Sequence, residues 1–405
     1  EYAFVRQAIL DAGQRVLTMD LGVLPGDAAP FPVDVTADEV ALAGGSPLAA
    51  LRTRGDRGEA VAVMLAGARV LTRRLHREGR IGGMLGLGGG GGTAMITAAM
   101  RELPVGVPKV MVSTMASGNT APYVDVKDLT MMYSVVDIAG LNPLSRKILT
   151  NAAMAICGMV GGAGEADATS ARPAKAARPL IAATMFGVTT SCVTAARERL
   201  ESAGFDVLVF HATGSGGRAM EGLIADGWFA GVLDVTTTEW CDEVVGGVLS
   251  AGPDRLGAAA RAGVPQVVSV GALDMVNFGA RATVPSRFEG RRFHVHNEAV
   301  TLMRTTPEEC REIARRIVAQ LANAMAPVVV VLPLRGVSAI DAPGQPFHDA
   351  ATDAALFTAI REGVAAAGAA NPHLRLREVD AHINDRAFAE ALTVELLALL
   401  PRHAH

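Results

Sequence analysis

Six of the eight residues 86–93 are glycine, and they occupy one specific place in a larger pattern. Residues 80–101 read RIGGMLGLGGGGGTAMITAAMR: an apolar strand-like run, the glycines, then a helix-like run. Glycine costs more conformational entropy to order than any other residue, and it serves where a Cβ would not fit or where φ must be positive. A strand that enters a helix through such a turn belongs to α/β architecture, with helices covering the faces of a mainly parallel sheet. The chain has 44 glycines without a Gly-X-Y period, which excludes a collagen-like structure.

The same alternation recurs along the 405 residues. Residues 15–21, 80–87, 109–114 and 131–136 read as strands in the first half. Residues 179–185, 205–211, 228–235, 266–270 and 328–333 do so in the second. Asp56 and Glu59 cap a helix over 56–79 that carries Val61, Met64, Leu65, Ala68, Leu71 and Leu75 on one stripe, with Gly79 ending it. Thr306, Pro307 and Glu309 open another, and the last helix begins near Asn384. Residues 161–179 (GGAGEADATSARPAKAARP) are small, polar and aperiodic, and read as a linker between domains 1–160 and 180–405. The expected fold is α/β: two Rossmann-like domains with mainly parallel sheets and a cleft between them. Ligands of such sheets sit beyond the carboxyl ends of the strands.

Composition narrows the classes. Half the chain is hydrophobic and 19% is charged, so a large core is available and disorder is excluded as the main state. Thirty-seven basic against 41 acidic residues give a net charge of −4, which lacks the footprint of a general nucleic-acid binder. The four cysteines are far apart with no CxxC, so neither a disulfide framework nor a cysteine-based zinc site is expected. No apolar run is long enough to span a membrane and no signal peptide is visible. A cytoplasmic location is expected.

The glycine run suits a phosphate. Backbone N–H groups can crowd around an anion, and the helix N-terminus adds unpaired donors and its dipole. Gly86, Gly88 and Gly91 match G-x-G-x-x-G formally. However, the acidic residue that reads the ribose of a dinucleotide about 20 residues later is replaced by KVMVST at 109–114. No lysine follows the glycines, so the loop is not of Walker type. A second strand–loop–helix unit spans 205–221 (FDVLVFHATGSGGRAME), with Thr213, Gly214, Ser215, Gly216, Gly217 and Arg218 at its turn. Hydroxyl-rich strand ends follow at Ser113, Thr114 and Asn119 and at Thr236–Thr238. They fit phosphate or sugar contact and helix capping equally.

Candidate catalytic groups are His294, His296 and Arg335. The two histidines lie on one face if RFHVHN at 292–297 is a strand, but no third ligand follows from spacing, so no metal site is assigned. Arg335 ends an apolar strand and suits bidentate grip of a carboxylate or phosphate. Acidic Glu239, Asp242 and Glu243 at a helix start are ordinary dipole partners. Cys241 between them reads as a small core residue.

These strings together resemble the Tm-one-like ATP-binding family, a group that includes the amino-terminal region of a tomato virus-resistance protein. The matching strings are GLGGGGGTA (86–94), VPKVMVSTMASGN (107–119), DLTMMYSVVDIAGLN (128–142), HATGSGGRAME (211–221), TTTEWCDEVVGG (236–247), HNEAVTLMRTT (296–306) and PLRGVSAIDAPGQPF (333–347). The resemblance implies two Rossmann-like domains, ATP binding with Mg²⁺ as counter-charge, and self-association as a dimer. It implies nucleotide contacts at Gly88, Gly89, Gly90, Gly91, Gly92 and Thr93, and from Thr213 to Arg218, with Ser113, Thr114 and Asn119 beside them. Members of the family typically begin with a further strand and a T-x-D-T-K stretch, so a first strand is expected to be missing here. The expected function is nucleotide binding, in an enzyme of small-molecule metabolism that takes a phosphorylated ligand in the cleft. A non-catalytic, nucleotide-regulated assembly module is the alternative, and an NAD(P)-dependent dehydrogenase a weaker one.

Overall fold

The computed structural model describes residues 1–24, 29–169 and 178–400, with the side chains of 163–169 left aside. Its contacts divide the chain into two units, Glu1–Lys175 and Ala176–His405. Both are mixed α/β with mostly parallel sheets.

Unit 1 begins with helices α1 (Tyr2–Asp11), α2 (Ala37–Ala43), α3 (Leu48–Arg54) and α4 (Arg57–Arg77). Asp56 accepts the Glu59 N–H and caps α4 as its sequence predicts. Then β1 (Met84–Gly88), α5 (Gly90–Met100), β2 (Lys109–Ser113), α6 (Ala121–Val124), β3 (Thr130–Tyr133) and α7 (Pro143–Thr169) follow. The three strands form a parallel sheet in the order β1-β2-β3. Strand alternation assigns its faces: Leu87, Val110 and Val112 pack with Leu149, Ala153 and Ile156 of α7, while Met111 packs with Ile96 and Met100 of α5. Residues 15–21 do not form the expected strand. They make a single parallel bridge, Met19 to Val35, where the Asp34 carboxylate takes the Thr18 N–H (2.7 Å) that a longer ladder would use and accepts the Thr18 hydroxyl as well (2.9 Å). Helix α7 continues through the first nine residues of the expected linker, to Thr169; residues 170–177 lie outside the described ones.

Unit 2 runs β4 (Leu180–Met185), α8 (Thr190–Ser202), β5 (Asp206–His211), α9 (Ser215–Ala225), β6 (Gly231–Thr236), α10 (Glu239–Val245), α11 (Gly257–Ala262) and β7 (Gln266–Gly271). Next come β8 (Met275–Phe278), β9 (Phe293–Asn297), β10 (Val300–Arg304), α12 (Pro307–Leu321), β11 (Val328–Pro333), α13 (Ala350–Gly368), β12 (Leu374–Val379) and α14 (Arg386–Leu399). The main sheet is parallel throughout, in the order β12-β11-β7-β6-β4-β5. The chain reverses its direction of growth between β4 and β6, as in doubly wound sheets. Strand β11 shows why its apolar run is unbroken: Val328, Val330 and Leu332 face the α12–α13 layer, while Val329 and Val331 face α8 and α14. A small antiparallel sheet, β8-β10-β9, adjoins it in the chain.

Candidate functional site

In unit 1 the glycines divide by task. At Gly88 a Cβ would stand 2.9 Å from the Gly92 carbonyl carbon and the Thr93 nitrogen, so this residue lets α5 close onto β1. Gly89, in extended conformation, is the N-cap. At Gly90, Gly91 and Gly92 a Cβ would meet nothing nearer than 3.9 Å, so packing does not require their bareness. None of these glycines adopts a positive φ, which removes left-handed backbone as the reason for them. The first i to i−4 bond of α5 is Thr93 N–H to Gly89 O at 2.8 Å. The N–H groups of Gly90, Gly91 and Gly92 therefore have no intrahelical acceptor and point out of the helix start with its dipole.

The surroundings sort the other predicted contacts. Thr114 stands at the rim, its Oγ1 3.8 Å from the Cβ position of Gly89. Thr93 and Ser113 are buried and spend their hydroxyls on each other (2.6 Å), on Gly88 O (3.2 Å) and on the Met115 N–H (2.9 Å), so they brace the turn and do not line it. Asn119 accepts the Ala121 N–H at 3.1 Å, in a turn just before α6. The sequence reading missed Arg57. This first residue of α4 is exposed and brings Nη2 to 4.0 Å from the Cβ position of Gly91. Its place depends on α4 packing beside α5, which no local motif announces.

The turn of unit 2 is different. The N–H groups of Gly214 (2.7 Å) and Gly217 (3.1 Å), assigned from sequence to a phosphate, both donate to Glu239 Oε1. Glu239 is buried and bound in turn by Arg255 Nε at 2.6 Å. Arg255 also donates to both oxygens of Asp234 (2.5 and 2.7 Å) and to Glu221 (3.2 Å). The start of α9 thus already holds an anion, supplied by the protein's own α10. Thr213 Oγ1 donates to His211 O, Arg218 to Ser250 O at 3.3 Å, and Ser215 is exposed. A Cβ on Gly216 would collide with the His211 backbone, so that glycine is required by packing.

The candidate catalytic groups each make contacts of their own. His294 and His296 share a face of β9; His294 packs edge-on to Phe347 at 6.3 Å, and His296 is exposed. Among the described residues no cluster of three His, Cys, Asp or Glu is placed to hold a metal. Arg335 makes an exposed bidentate pair with Asp380, both bonds 2.7 Å. Cys241 is buried, and desolvation with Asp242 beside it pushes its thiol well above the ordinary value, the opposite of an activated nucleophile. Burial pushes Asp242 up to about 7, and it accepts two bonds from Asn277.

The fold and the turn define a class: a two-unit α/β protein whose first unit presents a bare glycine-rich helix start. Comparison with known proteins makes this specific. Residues 1–165 match the N-terminal domain, and 178–400 the C-terminal domain, of the uncharacterised protein family UPF0261; the chain belongs to this family. It is 50% identical over 402 residues to a UPF0261 protein of Clostridium tetani, covering 99% of this chain and 96% of the relative. A UPF0261 protein of Rhizobium meliloti is 50% identical over 393 residues, 96% of this chain and 94% of its own length. The chain is also similar to the ToMV resistance protein Tm-1 of Solanum lycopersicum, 43% identical over 349 residues, which is 86% of this chain and 46% of the tomato protein. Among the described residues no helix is long and apolar enough to cross a membrane.

Proposed function

We propose that the protein binds ATP, or another nucleotide, with its phosphates on the turn Gly88–Gly92 of unit 1. The observation that carries this reading is the bareness of Gly90, Gly91 and Gly92, which packing does not demand. Three N–H donors, the α5 dipole and the Arg57 guanidinium meet there, and charge-assisted bonds of this kind suit phosphate oxygens. Mg²⁺ would offset the remaining phosphate charge. The dinucleotide reading is less well supported, because β2 ends in Ser113, followed by Thr114, where a ribose-reading acid would stand.

The binding role does not require turnover. Arg335 is spent on Asp380 and Cys241 is buried and protonated, so these side chains are not poised on a phosphoryl group. The reading is tested by titration calorimetry with ATP, ADP, NAD and inorganic phosphate, each with and without Mg²⁺. Saturable binding of ATP, lost in Gly90→Val and weakened in Arg57→Ala, is expected. Absence of binding by any of these, or full affinity in Gly90→Val, overturns it.

A further inference from the structure

We propose that unit 2 carries a separate small-molecule site, suited to a neutral polyhydroxylated ligand of sugar size, at the carboxyl ends of β11 and β12. A cavity of about 570 Å³ opens there, within the usual range for small-ligand pockets. It is lined by Arg335, Pro343, His348, Asp353, Phe357, His382 and Asp385 among others. Carboxyl ends of parallel strands are where open α/β sheets take ligands.

The walls are built for rigidity. Gly336 follows β11 at φ 130, and a Cβ there would stand 2.8 Å from the His382 ring and 3.1 Å from Asp341 O. Only glycine lets the imidazole seat itself. The His382 Nε2–H donates to Ser338 O (2.9 Å), while Nδ1 accepts from the Asn384 N–H (3.1 Å). Both nitrogens are used, so the ring is a neutral wall. His348 lies with Nδ1 3.0 Å from Asp341 O. A carbonyl only accepts, so Nδ1 carries a proton and donates.

Charge and hydrogen-bonding capacity then select the ligand. Arg335 is neutralised by Asp380, and Asp353 by Arg304 at 2.6 Å. Asp341 is pushed upward by burial and by the neighbouring Asp274 and Asp353. Asp385 accepts the His382 N–H at 2.8 Å and lies in the field of Arg335, which already pairs with Asp380, so one cation faces two carboxylates. The lining is left with a net negative charge and more acceptors than donors. An anion is repelled, so this is not a second phosphate site. Carboxylate oxygens of Asp353 and Asp385 call for a ligand that donates at more than one point, and Pro343 and Phe357 offer an apolar surface to its C–H face. Several hydroxyls on a carbon ring meet both demands; a single ammonium concentrates its donors at one point.

The test is saturation-transfer NMR on the whole protein with D-glucose, D-xylose and myo-inositol, and with gluconate and glucosamine as charged counterparts. Saturable binding of at least one neutral compound at millimolar concentration is expected, with gluconate about tenfold or more weaker. Ala354→Trp, an exposed substitution on α13 that fills the cavity, should abolish the signal with the circular dichroism spectrum unchanged. His348→Ala should weaken it. Silence from all three neutral compounds, tighter binding of gluconate or glucosamine, or an undiminished signal in Ala354→Trp overturns the proposal.

Discussion

Replacing Gly88 and Gly90 by alanine, one at a time, separates a packing turn from a ligand turn. At Gly88 the new Cβ would lie 2.9 Å from two backbone atoms of the α5 start, which cannot rotate away. Overpacking of this kind costs about 1–3 kcal/mol. At Gly90 the nearest atom is Met115 Sδ at 3.9 Å, ordinary contact, and the residue is already the first of α5. Alanine there restricts the unfolded chain and favours the helix by roughly 0.5–1 kcal/mol. The two variants should therefore move urea unfolding midpoints in opposite directions. ATP affinity should fall in both, because the Gly90 methyl occupies the space a phosphate needs. Loss of one charge-assisted bond, about 1.5–3 kcal/mol, weakens Kd by roughly tenfold to a hundredfold. The informative result is Gly90→Ala: a protein that is more stable and binds worse. If it is less stable, the glycines serve packing; if it binds ATP as tightly as the parent, the phosphate does not sit there. Either result refutes the argument.

Other expectations follow from the buried charges and thiols. Arg255→Met strands Asp234 and Glu239 and should cost about 3–5 kcal/mol in urea unfolding. In the parent, burial raises Asp274 to about 6, Asp242 to about 7 and Asp341 to about 8. Raised carboxyls favour the folded state while protonated, so their stabilising contribution is lost as pH climbs through that window. The midpoint should drop from mildly acid to mildly alkaline buffer, and a flat profile would contradict these assignments. A thiol reagent should label half-buried Cys157 first in the native protein. Cys192 and Cys310, pushed up to about 12 and about 11 by burial, should react only after denaturation.

Local patterns made the fold readable. The apolar runs at 328–333 and 266–270 are strands of a sheet covered on both faces, and the caps at Asp56 and Thr306 accept the N–H bonds that their spacing predicts. Where side chains compete with the ladder, as Asp34 does with Thr18, apolar alternation misled. The site was legible only as a place. Strand–glycine–helix marks a helix start, but whether its donors are open depends on partners distant in sequence. Glu239 is 25 residues from Gly214, and its ring of Arg255, Asp234 and Glu221 comes from three different parts of the chain. Lys109 was hidden in the same way. It sits in a strand motif, yet its ammonium is buried against Pro104 O, Val107 O and Asp128.

The Glu239 carboxylate at the start of α9 has a consequence for competition. Because it is tethered and held in register by Arg255, it acts as a resident counter-ion whose effective concentration is on the order of millimolar or more. A solute anion approaching the turn of unit 2 must first evict it and leave Arg255 with one fewer carboxylate. At α5 no resident stands in the way among the described residues. Rising anion concentration would therefore fill the two glycine turns of this chain in sequence and not together. Glu239→Gln would lower the threshold at the second.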